Sequence, residues 1–131
     1  MNEEFKIEVL IKKSLKELQT AELLIQNNLF NAAVSRTYYA MFYAVQVLFI
    51  EEKIVTSSHH GMITIFSKQF VKTGIFSGEM GKQINKIFEM RQSSDYNFDF
   101  EITLDTAINT LTTGKKFVET LFTYVKNKNL L

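Results

Sequence analysis

Two arginines stand apart from the other basic residues of this chain as candidates for a binding site. The sequence holds fifteen lysines and arginines, of which only Arg36 and Arg91 are arginines, and each interrupts a helical stripe that is otherwise apolar. A guanidinium keeps its charge and presents five donors in a rigid fork, which suits a buried contact with a carboxylate or a phosphate better than a flexible ammonium does. The pattern therefore predicts anion binding or an ion pair at these two positions.

Arg36 begins a mixed stripe on its helix. Tyr39, Tyr43 and Gln46 follow it by three, seven and ten residues, so that a base, two rings and an amide share one side. Such a surface could bind RNA through stacking and phosphate contacts. It could equally pack inside the protein or form a dimer seam with hydrogen-bonded hydroxyls. Both interpretations stay open at the level of the sequence.

Arg91 continues the inward stripe of a predicted fourth helix, and it is therefore expected to point toward the bundle or a partner. Asp95 follows it at i+4 and could pair with it. The apolar members of the same stripe are Met80, Ile84, Ile87 and Phe88.

The elements that position these residues are predicted to be helices in one domain spanning residues 1–131. The chain has no proline and five glycines, and apolar residues recur with a period of 3.6. Helices are expected at about 3–27 and 29–52, then from Ser57 or Ser58 to near Gly74, from Ser77 to about 94, and after an N-cap at Thr103. Residues 127–131 are expected to fray. The fold class is thus an all-α up-and-down bundle of four to five helices.

The second helix is apolar nearly all round, which predicts a central position. Its apolar and aromatic surface is expected to exceed what a small bundle can cover, and this predicts a homodimer. Its polar residues make insertion into a membrane costly.

Composition excludes several classes of site. Without cysteine there is no disulfide, thiolate nucleophile or cysteine-bound metal. Two histidines offer few ligands for a metal ion, so no cofactor is expected. The amino terminus lacks the pattern of a signal peptide, which predicts a cytoplasmic protein.

The net charge is only +1, but residues 53–94 carry six basic and two acidic groups, whereas residues 95–105 carry four acidic groups and no basic one. The basic segment could attract an anionic partner.

Three blocks of sequence carry a resemblance to a known family. They read FNAAVSRTYYAMFYAVQVLF at 30–49, SSHHGMITIFSKQFVKTGIF at 57–76 and INKIFEMRQSSDY at 84–96. In their order and spacing they resemble HEPN domains. More narrowly they are similar to the small stand-alone UPF0332-like proteins in which Ser-Arg-x-Tyr-Tyr-Ala, His-x-Gly or His-Gly, and Arg-x-x-x-Asp-Tyr recur in that order. The resemblance implies a helical homodimer, often encoded beside a minimal nucleotidyltransferase as a toxin–antitoxin or defence pair.

The resemblance also implies a chemistry. Many HEPN proteins are metal-independent endoribonucleases with an arginine, four to six intervening residues and then a histidine. Here no histidine follows Arg91 in that window. A carboxyl group ordinarily has a pKa near 4 and is a poor general acid at neutral pH, so Asp95 cannot simply replace an imidazole. His59 and His60 are the remaining imidazoles. His60 matches the His-Gly block, so the catalytic candidates are Arg91, Asp95 and His60.

Tyr96 has a separate implied role. In related two-gene pairs a tyrosine near the arginine motif accepts nucleotides from the nucleotidyltransferase. Tyr96 matches that position by resemblance, although it could also anchor the end of its helix. Together with Arg36, Tyr39 and Tyr43 it completes the candidates for an RNA-binding, nucleotide-binding or interface surface. Two functions remain open: an RNA-binding or RNA-cleaving protein, and a non-catalytic module that binds a nucleotidyltransferase or a nucleotide.

Overall fold

Five α-helices follow one another in residues 2–129, the part of the chain that a computed structural model describes, and there is no strand among them. The prediction of an all-α bundle is confirmed. The helices are α1 (Glu3–Gln26), α2 (Phe30–Glu51), α3 (His59–Phe66), α4 (Gly78–Tyr96) and α5 (Leu104–Asn129).

Local capping determines where these helices begin. The side chain of Ser58 accepts a 2.9 Å hydrogen bond from the Gly61 amide at the start of α3, so Ser58 and not Ser57 is the N-cap. Ser77 caps α4 in the same way, and the Thr103 hydroxyl accepts from the Thr106 amide at the start of α5. These short polar side chains satisfy amides that the first turn of a helix leaves without partners.

The third predicted helix divides into two parts. α3 ends at Phe66, and a π-helical turn, Ser67–Val71, continues the chain. Gly74 follows with a φ of 85°, a left-handed conformation that glycine adopts at little cost. The turn is held by aromatic packing, in which the Phe66 ring lies 6.0 Å from Phe70 and 5.7 Å from Phe76 between ring centroids.

α2 is the central helix, as its composition predicts. Two close approaches fix its neighbours. On one side the buried Ser14 hydroxyl of α1 donates a 2.8 Å hydrogen bond to the Ala40 carbonyl. On the other side Gly114 of α5 lies so close to Thr37 that a Cβ built at Gly114 would fall 2.4 Å from the Thr37 methyl.

The structure corrects two expectations about exposed or frayed segments. None of the large hydrophobic side chains exposed in residues 2–129 belongs to α2, so the excess apolar surface expected there is covered within one copy of the chain. α5 continues to Asn129, where Lys128 pairs with Glu52 at the end of α2. The expected fraying is therefore wrong for residues 127–129, and residues 130–131 lie outside the described part. No helix in that part is both long and apolar enough to cross a membrane.

Candidate functional site

Arg91 is held in place from two directions. Its Nη2 donates a 2.9 Å hydrogen bond to the Tyr39 hydroxyl of α2, and its Nε lies 3.0 Å from Asp95 Oδ2 one turn along α4. The Arg91 side chain is only 15% exposed. Asp95 also accepts a hydrogen bond of 3.4 Å from the Ser35 hydroxyl, so the carboxylate connects α4 to α2.

The contact between Arg91 and Asp95 is an ion pair without a hydrogen bond. Arg91 Nε is the one buried side-chain nitrogen or oxygen in residues 2–129 that has no hydrogen-bond partner, because its hydrogen does not point along the contact. The pair nevertheless places a negative charge beside the guanidinium. Arg91 Nη1 has no partner in the described residues and is not buried, and this nitrogen therefore remains available to a ligand.

His59 approaches the same place from the first turn of α3. Its Nδ1 lies 2.7 Å from the hydroxyl oxygen of Tyr38, and its ring stacks on Phe42 with centroids 4.2 Å apart and planes 23° from parallel. Partial burial, together with the positive charge of Arg91, holds the pKa of His59 below its ordinary value. His59 is therefore neutral at pH 7.

Two tyrosine rings bring Arg91 and His59 together. The guanidinium carbon lies 5.8 Å from the centroid of Tyr38 and 5.3 Å from that of Tyr39. The imidazole centroid lies 5.6 Å and 5.9 Å from the same two rings. We refer to Tyr38, Tyr39, His59, Arg91 and Asp95 as the Arg91–His59 cluster.

Of the two histidines that the sequence offers, His59 and not the preferred His60 lies in the cluster. His60, which was chosen because it precedes glycine, is exposed, and no hydrogen bond or ring contact of its side chain joins it to the cluster in the described residues. Helical periodicity could have made the distinction. The residues three, four and seven positions after His59 are the buried Met62, Ile63 and Phe66, whereas two of the three at the same steps after His60, Thr64 and Ser67, are polar.

Arg36 lies at the edge of the cluster. Its Nη1 donates a 3.0 Å hydrogen bond to Glu17 Oε2 of α1, and its guanidinium carbon lies 4.9 Å from the centroid of Tyr39. Tyr39 therefore contacts both arginines. Tyr43 is half-buried beside Tyr39, with centroids 6.3 Å apart, and burial is the main cause of its raised pKa. Three members of the predicted stripe, Arg36, Tyr39 and Tyr43, thus form one continuous row of side chains.

Tyr96 does not join this row. It is the last residue of α4 and is 81% exposed, and no hydrogen bond or ring contact of its side chain to another described residue is found. The interpretation of Tyr96 as an anchor of the helix end finds no support in these contacts.

Comparison with known proteins identifies the family. The model of the HEPN domain family matches residues 7–128. A protein of Methanocaldococcus jannaschii named "Putative toxin MJ0142" is 35% identical over 125 residues, which cover 95% of this chain and 85% of that protein. A second M. jannaschii protein, "Putative toxin MJ0605", is 32% identical over 71% of this chain and 69% of its own length. A UPF0332 protein of Thermotoga maritima is 40% identical over 73% of this chain and 74% of its own length. The chain is a member of the HEPN domain family.

Proposed function

We propose that this chain is a toxin-type HEPN protein that binds RNA at the Arg91–His59 cluster and cleaves it slowly without a metal ion. One observation carries the proposal: Arg91 Nη1 and His59 Nε2 lack protein partners in the described residues, are not buried, and belong to side chains packed on the same two tyrosine rings. A guanidinium edge and an imidazole nitrogen are suited to phosphate oxygens. The names of the two M. jannaschii relatives support the toxin class.

The surroundings of the cluster suit single-stranded RNA. Arg36 is 38% exposed at the side chain and lies over Tyr39, so it offers a second positive charge next to an aromatic ring. Proteins bind single-stranded RNA through this combination of phosphate contacts and ring stacking. Arg91 would stabilise the negative charge that develops on phosphorus when the neighbouring 2′-hydroxyl attacks. The 2′-hydroxyl loses its proton to water, the P–O5′ bond breaks, and the departing oxygen takes a proton from water. The products are a 2′,3′-cyclic phosphate and a 5′-hydroxyl.

A non-catalytic interaction module is the second candidate, and the Arg91–Asp95 pair favours it. The carboxylate neutralises much of the charge that Arg91 could offer a phosphate, and most of the Arg91 side chain is buried. In that case the cluster would be a structural ion network, and a protein partner would bind elsewhere on the surface.

The test uses purified protein and a fluorescent single-stranded RNA, with and without EDTA. Wild type is expected to bind RNA and to cleave it weakly, with equal rates in both buffers. Arg91→Ala is expected to lose binding, whereas Lys86→Ala, an exposed basic residue on the same helix, should retain it. Cleavage that stops in EDTA would exclude the metal-free mechanism. No RNA binding by folded wild type would favour the interaction module.

The proposal includes a homodimer and a nucleotidyltransferase partner, both of which rest on the family resemblance. Light scattering at tens of micromolar should give about twice the chain mass of 15.2 kDa, and a monomer mass would contradict the dimer. Tyr96 is exposed enough to accept a nucleotide. Mass spectrometry after incubation with a minimal nucleotidyltransferase and ATP should show added mass on wild type and none on Tyr96→Phe.

A further inference from the structure

Tyr38 carries a buried hydroxyl to which the proposed function assigns no role. It is 0% exposed, and its only hydrogen-bond partner in the described residues is His59 Nδ1, 2.7 Å from the hydroxyl oxygen. The bond connects the centre of α2 to the first turn of α3. The orientation of the shared proton decides what the imidazole can do.

The proton in this bond belongs to the tyrosine. Burial raises the pKa of Tyr38 far above its ordinary value, so the phenol is protonated at neutral pH. If His59 donated through Nδ1–H, the phenolic hydrogen would need a second acceptor, and none is found in the described residues. A buried donor left without an acceptor costs about 1–3 kcal/mol. The hydroxyl therefore donates, and Nδ1 accepts.

We infer that Tyr38 is a positioning residue that fixes His59 as the tautomer protonated at Nε2, so that His59 presents a hydrogen-bond donor to RNA and not a base. A neutral imidazole carries one proton, and an Nδ1 that accepts a hydrogen bond leaves that proton on Nε2. The stacked Phe42 ring holds the plane of the imidazole, so the Nε2–H direction is fixed as well.

The surroundings of His59 oppose its conversion to the imidazolium. Tyr38, Tyr39 and Phe42 face it from α2, and Phe88 and Arg91 face it from α4. Among these five neighbours only Arg91 is charged, and its charge is positive. An imidazolium would also direct Nδ1–H at the Tyr38 hydroxyl and displace the phenolic proton.

The consequence concerns the kind of ligand that the site recognises. Arg91 Nη1 and His59 Nε2–H are both donors, and donors of this kind suit the oxygens of a phosphate. The inference rests on the proposed function for the identity of the ligand as RNA. The tautomer itself does not depend on that function. With no base at Nε2, removal of the 2′-hydroxyl proton has no help from His59, which is why the proposed function expects slow cleavage.

Nitrogen-15 NMR tests the tautomer without RNA. The chain has two histidines, so a His60→Gln variant without a histidine tag contains His59 as its single imidazole. At pH 7.5 we expect Nδ1 to resonate as an unprotonated nitrogen and Nε2 as a protonated one. In the same background Tyr38→Phe should shift His59 toward a mixture of tautomers. A protonated Nδ1 in the variant that retains Tyr38 would overturn the inference, whether or not Tyr38→Phe folds.

RNA titration then separates the tautomer from the proposed function. Tyr38→Phe should weaken RNA binding by roughly threefold to tenfold, the range expected for one misdirected hydrogen bond. Neither Tyr38→Phe nor His59→Phe should abolish RNA binding, because Arg91 remains. If wild type has the Nε2–H tautomer but does not bind RNA, the proposed function is contradicted and the positioning role of Tyr38 stays intact. Equal affinity of Tyr38→Phe and wild type for RNA would overturn the link between the His59 tautomer and RNA binding.

Discussion

Arg91 Nη2 donates a 2.9 Å hydrogen bond to the hydroxyl oxygen of Tyr39, and this bond joins α4 to α2 at the centre of the candidate site. The same tyrosine ring lies 4.9 Å from the guanidinium carbon of Arg36. Tyr39 therefore sets the positions of both arginines relative to each other. The arrangement depends on the planar fork of Arg91, since one side of the guanidinium faces Asp95 while another nitrogen reaches the tyrosine.

Replacing Arg91 by lysine should destabilise the protein although the charge is kept. A single ammonium cannot contact Asp95 and Tyr39 with the geometry of the fork, and losing a hydrogen bond to a charged group costs about 1.5–3 kcal/mol. Thermal unfolding of Arg91→Lys should show a Tm several degrees below that of wild type. Lys86→Ala on the exposed face of α4 is the control and should leave the Tm nearly unchanged. Equal Tm values for Arg91→Lys and wild type would show that the fork has no structural role.

Asp95→Asn should strengthen RNA binding. The substitution keeps the size of the side chain and removes the negative charge that faces Arg91 at 3.0 Å. With the guanidinium no longer neutralised, phosphate affinity should rise a few-fold, and the slope of log Kd against log salt concentration should steepen, by up to about one unit. Weaker RNA binding by a folded Asp95→Asn protein would instead show that the carboxylate is needed to orient Arg91.

Local sequence patterns were sufficient for the helices and for part of the site. The caps at Ser58, Ser77 and Thr103 depend on neighbours three residues away, and the inward direction of Arg91 follows from helical periodicity. The Arg91–Asp95 pair lies within one helix turn, and the sequence therefore predicted it.

The remaining part of the site depends on contacts between distant elements. Tyr38 and His59 are 21 residues apart and Tyr39 and Arg91 are 52 apart, so only the packing of α2, α3 and α4 could show these bonds. The preference for His60 followed the His-Gly resemblance, although the helical face pointed to His59. The expectation of exposed apolar surface on α2 was wrong because α1 and α5 cover that helix from both sides within one copy.

Gly114→Ala should destabilise the bundle. The new methyl group would lie 2.4 Å from Cγ2 of Thr37, in a place where α5 approaches the fully packed α2. Overpacking of this kind costs about 1–3 kcal/mol. Gly78→Ala is the matched control, because a Cβ there meets no atom within 4 Å at the first position of α4. Chemical denaturation should therefore show a lower midpoint for Gly114→Ala and an equal or higher midpoint for Gly78→Ala.

A second substitution tests whether the Thr37 methyl is the cause. Thr37→Ser removes Cγ2 and retains the hydroxyl, which donates a 2.9 Å hydrogen bond to the Ala33 carbonyl. The double variant Gly114→Ala with Thr37→Ser should recover most of the stability that Gly114→Ala loses. Additive losses in the double variant would place the strain elsewhere on the α2–α5 contact.

Protein stability should fall as the pH drops below the ordinary histidine pKa, and His59 should account for part of the loss. The pKa of His59 is lowered in the folded state by partial burial and by the charge of Arg91. Below pH ~6.5 the unfolded chain takes up a proton at this histidine that the folded chain refuses, so the free energy of unfolding decreases until the pH reaches the lowered pKa. Above that range His59 is neutral in both states and contributes no pH dependence. Thermal unfolding should therefore show a smaller loss of Tm between pH 7.5 and pH 5.5 for His59→Gln than for wild type. The same pH dependence in wild type and His59→Gln would show that the imidazole is free to become protonated within the folded protein.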